Sequence, residues 1–155
     1  MKIRRPLFLA VVAATAVSLA SIAVSAVAAE TPFKGTANAV ETSQGFPIVT
    51  VTRNGTGTAT YLGKYTSHVT LQVNVLTARA TGAATFTAAN GDTLTTTVDG
   101  RSTLIAPGVL SIVEVYTITG GTGRFADATG TFTGEIIVTQ ATGVSTGTFS
   151  GVIDH

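Results

Sequence analysis

The chain has 155 residues, of which 45% are hydrophobic and only 11% charged, with a formal net charge of +1 and no cysteine. Disulfides, thiolate metal sites and a cysteine nucleophile are therefore excluded. From residue 30 onward the six Lys and Arg are scattered singly, without the basic stripe that nucleic-acid binding requires.

Residues 1–29 read as an export signal. Lys2, Arg4 and Arg5 form a positive leading region, 7–24 is almost wholly apolar or small, and Ala26-Val27-Ala28-Ala29 supplies the small residues of a cleavage site. A membrane anchor is the rival reading, since the run approaches the roughly 20 residues that span a bilayer. No charged stop-transfer flank follows it, so the expectation is a secreted, extracellular protein with no membrane anchor after cleavage, at Ala28 or Ala29. Arg4-Arg5 ahead of Leu7-Phe8 hints at twin-arginine export. Counting from Glu30, six Lys and Arg face eight Asp and Glu, a net charge of −2. Residues 30–155 are long enough for a single domain with its own core.

Within that domain Thr, Val, Gly and Ala dominate, which favours strands joined by tight turns over helices. Asn54-Gly55, Asn90-Gly91 and Asp99-Gly100 are hairpin signals, because these pairs tolerate the positive φ of type I′ turns. They divide the chain into strands over 48–53, 56–62, 83–89 and 92–98. Residues 69–75 alternate without a break, placing Val69, Leu71, Val73 and Val75 on one face and Thr70, Gln72 and Asn74 on the other. Pro47 and Pro107 stand outside the alternating runs, as residues that cannot donate to a ladder should. Toward the C-terminus Gly130-Thr131-Phe132-Thr133-Gly134 is echoed by Gly147-Thr148-Phe149-Ser150-Gly151, with Gly143 between. The two copies are expected on paired strands, each Phe facing the layer of its flanking Gly. Eight to ten short strands without a credible helix predict an all-β fold, a meander closed into an antiparallel β-barrel or a sandwich. Closure removes the edges that threonine-rich strands would otherwise expose.

The stretch TGGTGRFADATGTFTGE, 119–135, demands a test for nucleotide binding. Gly121-Thr122-Gly123-Arg124-Phe125-Ala126 formally fits the dinucleotide fingerprint, but that site needs a helix opening at the last glycines and an acid about 20 residues on. Thr and Gly followed by another strand stand there instead, and no Gly-Lys-Ser/Thr occurs, so no cofactor is expected. The alternative is a sharp corner in which Gly120, Gly121 and Gly123 reverse the chain, Phe125 anchors it and Arg124 pairs locally with Asp127.

ITGGTGRFADATGTFTGE (118–135), NGTGTATYLGKYT (54–66) and GAATFTAANGDTL (82–94) resemble the exported bacterial proteins of the allene oxide cyclase barrel-like group. That group is related to plant dirigent proteins, which share a Gly-Thr-Gly-basic-Phe stretch like 121–125. The resemblance spans most of 30–155. It implies an eight-stranded closed barrel with a central cavity, and homo-oligomers, since trimers are common among the plant relatives. It transfers no activity, because the catalytic carboxylate and tyrosine of the plant enzymes match no motif in this chain.

Glu114 and Tyr116 are the sharpest candidates for chemistry. One parity of 110–118 carries Leu110, Ile112, Glu114, Tyr116 and Ile118, the other Ser111, Val113, Val115 and Thr117. If the first lines a cavity, desolvation raises the carboxyl pKa beside a phenol and the pair suits acid–base work. The simpler reading turns Val113 and Val115 to the core and leaves Glu114 solvated. Tyr61 and Tyr65 are expected on one face with Ala59, Gly63 and Val69, lining a pocket or filling the wall. His68, the sole internal histidine, has no second ligand type nearby and reads as a surface residue, so no metal is expected. Paired carboxylates for glycoside hydrolysis would have to come from Glu41, Glu114 or Glu135, which no spacing brings together.

These observations lead first to a secreted barrel without catalysis that binds a small apolar ligand at Tyr61, Tyr65, Glu114 and Tyr116, or serves as a structural surface protein. The rivals are an isomerase or cyclase restraining a hydrophobic substrate, with Glu114 and Tyr116 as its groups, and a self-associating extracellular matrix component.

Overall fold

A computed structural model describes residues 30–155. The export-signal expectation concerns 1–29 and lies outside the described residues. The rest forms eight strands: β1 (Thr31–Gln44), β2 (Ile48–Ala59), β3 (Gly63–Asn74), β4 (Arg79–Ala88), β5 (Thr93–Ala106), β6 (Val109–Gly121), β7 (Thr129–Thr139) and β8 (Val144–Asp154). Each pairs antiparallel with the next, and β8 closes on β1 with Thr31 opposite Ile153 and Val40 opposite Val144. The all-β closed eight-stranded barrel is therefore present, as a simple meander.

Asn90-Gly91 makes the β4–β5 hairpin, with the Gly91 amide donating to the Ala88 carbonyl. The other two hairpin signals are not turns. Asn54-Gly55 lies inside β2 and Asp99-Gly100 inside β5, so neither 48–53 and 56–62 nor the break after Val98 exists as expected. The glycines are there because of what stands beside them. A Cβ at Gly55 would meet the Ala39 Cβ at 2.7 Å, and one at Gly100 the Glu114 Cγ at 2.9 Å. Pro47 and Pro107 sit between strands as anticipated, and Val75 falls just past β3, leaving Val69 and Leu71 as the buried members of the alternating run.

The glycine-rich corner contains one 3-10 turn, Gly123–Phe125, and no α-helix. Gly120 (φ +118) and Gly123 (φ +57) take backbone conformations that disfavour a side chain. Phe125 is completely buried and plugs one end of the barrel. The expected Arg124–Asp127 pair is replaced by a longer-range one: Arg124 Nε lies 3.8 Å from Asp92 Oδ2, and the Thr122 amide donates to the Thr93 carbonyl. The corner is thus tied to the start of β5, whose entry residues it covers.

Side chains of alternate parity fill the lumen, as a half-buried sheet requires. At the end closed by Phe125, the interior is an aromatic cluster of Phe33, Tyr65, Phe86, Tyr116, Phe132 and Phe149. Tyr116 and Phe132 stack at 4.6 Å with planes 6° apart. The two Phe-containing repeats interlock on paired strands: Phe132 faces Gly151, and Gly134 faces Phe149. Each ring occupies the space its partner's missing side chain leaves.

Substituting Gly151→Ala tests this interlock. A Cβ there would stand 2.2 Å from the Thr131 carbonyl oxygen and 2.4 Å from the Phe132 Cα, both backbone atoms that cannot rotate away. Urea unfolding is expected to show a loss of about 3 kcal/mol with an unchanged m-value; an unmoved midpoint would contradict the account.

Candidate functional site

The polar centre of the lumen begins with an arginine. Arg53 on β2 shares the inward parity of Val49 and Val51 and is only 4% exposed. Its guanidinium crosses the lumen to β6, the strand diametrically opposite in the barrel order. There Nη1 donates to Glu114 Oε2 at 2.9 Å and Nη2 to Glu114 Oε1 at 3.1 Å, a bidentate pair. Arg53 Nε donates to Oε2 of Glu41, its register partner on β1, at 3.2 Å. The Tyr116 hydroxyl donates to Glu114 Oε2 at 2.5 Å.

Local sequence makes room for this cluster. Glu114 is flanked in register by Gly100 on β5 and Gly134 on β7, so neither neighbouring strand projects a side chain against it. Arg53 lies next to inward-facing Gly55 and Gly57 on its own strand. Long polar side chains therefore reach across the lumen instead of competing for wall space.

The electrostatics follow from this packing. Burial works against the Arg53 charge, yet the Glu114 carboxylate more than offsets it and the guanidinium pKa is raised. The Tyr116 phenol is held well above its ordinary value, first by burial and then by the adjacent Glu114 charge. Burial also pushes Tyr65, whose hydroxyl donates to the Thr36 carbonyl at 2.8 Å, up to about 12.

On the side away from the aromatic cluster the lumen is open. An inner chamber of about 80 Å³ rests on Arg53 and Glu114 and is walled by Leu71, Ala80 and Ile112. It is continuous with an outer chamber of about 550 Å³, both being bordered by Glu41, Val51, Val73, Ala78, Ser102 and Leu110. The outer chamber extends to Val49, Val75, Leu104 and Thr142, at the end carrying the β1–β2, β3–β4, β5–β6 and β7–β8 turns. A broader depression of about 600 Å³ lies on the outer wall across Thr36, Thr58 and Thr148. It is a shallow furrow remote from the charged cluster.

Placed on this frame, the sequence candidates separate. Glu114 and Tyr116 face inward, and Glu114 is wholly buried, while Val113 and Val115 are 47% and 45% exposed. The simpler expectation, with the valines in the core and Glu114 solvated, is therefore corrected: the flanking glycines and the Arg53 counter-charge let the polar residue take the inside. Glu114 is not a lone acid in apolar surroundings, since three donors hold its two oxygens. Tyr61 and Tyr65 do not share a face. Tyr61 sits in the β2–β3 turn at φ 64, with its ring 4.5 Å from that of His155, whereas Tyr65 is buried in the aromatic cluster. Neither borders the open funnel. His68 is on the surface, its Nδ1 2.7 Å from Asn54 Oδ1. Glu41 and Glu114, which no spacing linked, meet on one guanidinium, while Glu135 stays on the outer wall.

Arg53 and the role of Glu41 escaped the sequence reading. A signal was present: Val49, Val51, Arg53, Gly55, Gly57 and Ala59 form one apolar or small parity opposite Thr50, Thr52, Asn54, Thr56 and Thr58. Breaking the strand at Asn54-Gly55 hid it. Among the described residues no three His, Cys, Asp or Glu side chains gather as a metal site would need.

Removing Arg53 alone should be far worse than removing the whole pair. Arg53→Met strands a buried carboxylate and is expected to lose about 3–5 kcal/mol in chemical denaturation, while Arg53→Met combined with Glu114→Leu recovers most of that loss. A double variant no more stable than the single one would show that the charge is not the cause.

Tyr65 and Tyr116 give the barrel an alkaline limit. Both phenols are raised above their unfolded value near 10, so the stability they contribute is present below about pH 10 and lost as pH climbs through the folded values. Unfolding free energies measured from about pH 9 to about pH 12 should fall, and Tyr65→Phe should flatten part of that fall whatever its effect on the neutral baseline. An unaltered slope in the variant would refute the assignment.

Comparison of the chain with known protein families, characterised proteins and solved structures gives no match, so the reading of this site stands on its geometry.

Proposed function

We propose that the protein is an exported barrel of the allene oxide cyclase-like or dirigent-like kind that carries a small apolar molecule in the open half of its lumen. The observation supporting this reading is the funnel itself. Its walls are mainly aliphatic, it narrows from about 550 Å³ to about 80 Å³, and it ends on a few convergent polar groups. Small-molecule sites share that composition and scale, and eight-stranded barrels leave space for one small ligand. The leader-like pattern of residues 1–29 supports secretion.

An isomerase or cyclase acting on a hydrophobic substrate draws support from the inward pairing of Glu114 with Tyr116. Its difficulty is that Glu114 already accepts from Arg53 and Tyr116, while Tyr116 lies in the aromatic half, outside the funnel lining. Neither is free to exchange a proton with a molecule in the funnel unless the cluster opens first. A carrier needs no such opening.

The test is displacement of an environment-sensitive apolar fluorophore from the purified protein. Val49→Trp, which places a large side chain in the outer chamber, should weaken fluorophore binding at least tenfold, whereas Thr58→Trp on the outer wall should leave it unchanged. Absence of binding to the unmodified protein, or equal binding by both variants, would refute the carrier reading.

A further inference from the structure

The inner end of the funnel carries an excess of negative charge. Arg53 contributes one positive charge there, and Glu41 and Glu114 contribute two negative ones. Both oxygens of Glu114 are engaged, by the two terminal nitrogens of Arg53 and the hydroxyl of Tyr116. Glu41 differs. Its Oε2 accepts from Arg53 Nε, no side chain among the described residues donates to its Oε1, and its side chain remains 16% exposed. Glu41 also borders both chambers.

Apart from Arg53 and Arg101, no cationic side chain among the described residues borders either chamber. Ser43, Ser102, Gln140 and Thr142 are neutral. Arg101 borders the inner chamber but occupies an outer-wall position, in register with exposed Arg79 and Val113. The surrounding Val51, Val73, Leu110 and Ile112 lower the local dielectric, so an unbalanced carboxylate acts strongly on whatever enters. An apolar ligand with an anionic head would be repelled, and one without a head would leave the open oxygen unused.

We propose that the molecule held in the funnel is a lipophilic amine, its apolar body against the valines and leucine and its ammonium donating to Glu41 Oε1. This rests on the carrier reading above and specifies the class of ligand. The ammonium completes the charge balance of the cluster: Arg53 remains committed to Glu114, and the incoming cation neutralises Glu41. The aliphatic wall selects for a hydrophobic body, and the open carboxylate oxygen of Glu41 selects for a donor carrying positive charge.

The experiment compares three probes of equal chain length, dodecylamine, dodecanol and dodecanoate, as competitors of an apolar fluorophore on the purified protein near neutral pH and at moderate salt, each below its aggregation threshold. Dodecylamine is expected to bind at least tenfold more tightly than dodecanoate, with dodecanol between them. Glu41→Gln should weaken dodecylamine about tenfold and erase the preference for amine over carboxylate. Glu135→Gln removes an equal charge from the outer wall and should leave the order intact, which separates the funnel from general attraction to an acidic protein. If the three probes compete alike, or dodecanoate binds as tightly as the amine, the charge assignment fails while the carrier reading stands. If none competes, the carrier reading fails and takes this one with it. Should Glu41→Gln not fold, as judged by its circular dichroism, the probe order on the unmodified protein decides the matter.

Discussion

A single ion pair organises the lumen. Two charges taken out of water lose several kcal/mol of hydration each, and a buried pair persists only where geometry and further hydrogen bonds compensate. Arg53 and Glu114 meet that condition through a bidentate contact, reinforced by Glu41 and the Tyr116 hydroxyl. Because the partners sit on opposite walls, β2 and β6, the contact also spans the barrel. It separates the aromatic half of the lumen from the half that opens as a funnel.

The packed half shows how a chain rich in glycine and threonine builds a core without disulfides. Six strands each contribute one large ring, and two of these rings are set against glycines on the neighbouring strand, Phe132 opposite Gly151 and Phe149 opposite Gly134. The rings reach one another near the axis, in edge-on and stacked contacts that add to the apolar area they bury. Phe125, delivered by the glycine-rich corner, seals the end. That corner is a stopper, and its Gly120 and Gly123 take the positive φ that a sharp backbone reversal needs.

The open half inherits its character from the same pair. Arg53 and Tyr116 hold both oxygens of Glu114, so the pair forms a hydrogen-bonded floor, and aliphatic residues above it line a funnel. Chemistry at that floor would require breaking contacts that hold the barrel together. Retaining a ligand requires only the shape and the one carboxylate oxygen left open on Glu41. In the proposed carrier, structural and functional demands fall on different atoms of one cluster.

Much of the architecture is legible in the chain itself. Alternation, turn residues and the scarcity of helix formers determine an all-β meander, because side-chain parity along a strand is a local property that needs no knowledge of neighbours. The inward side of β6 is not determined in this way: a strand bearing Glu114 and Tyr116 on one face and Val113 and Val115 on the other is amphipathic in neither sense. Nor do Asn54-Gly55 and Asp99-Gly100 declare whether they turn the chain or relieve crowding within a strand. Both questions were settled by register and closure, which put Gly100 and Gly134 beside Glu114 and brought Arg53 to it from 61 positions away. Whether a carboxylate can be buried depends on the charge and space facing it across the lumen, and those exist only once the barrel has closed.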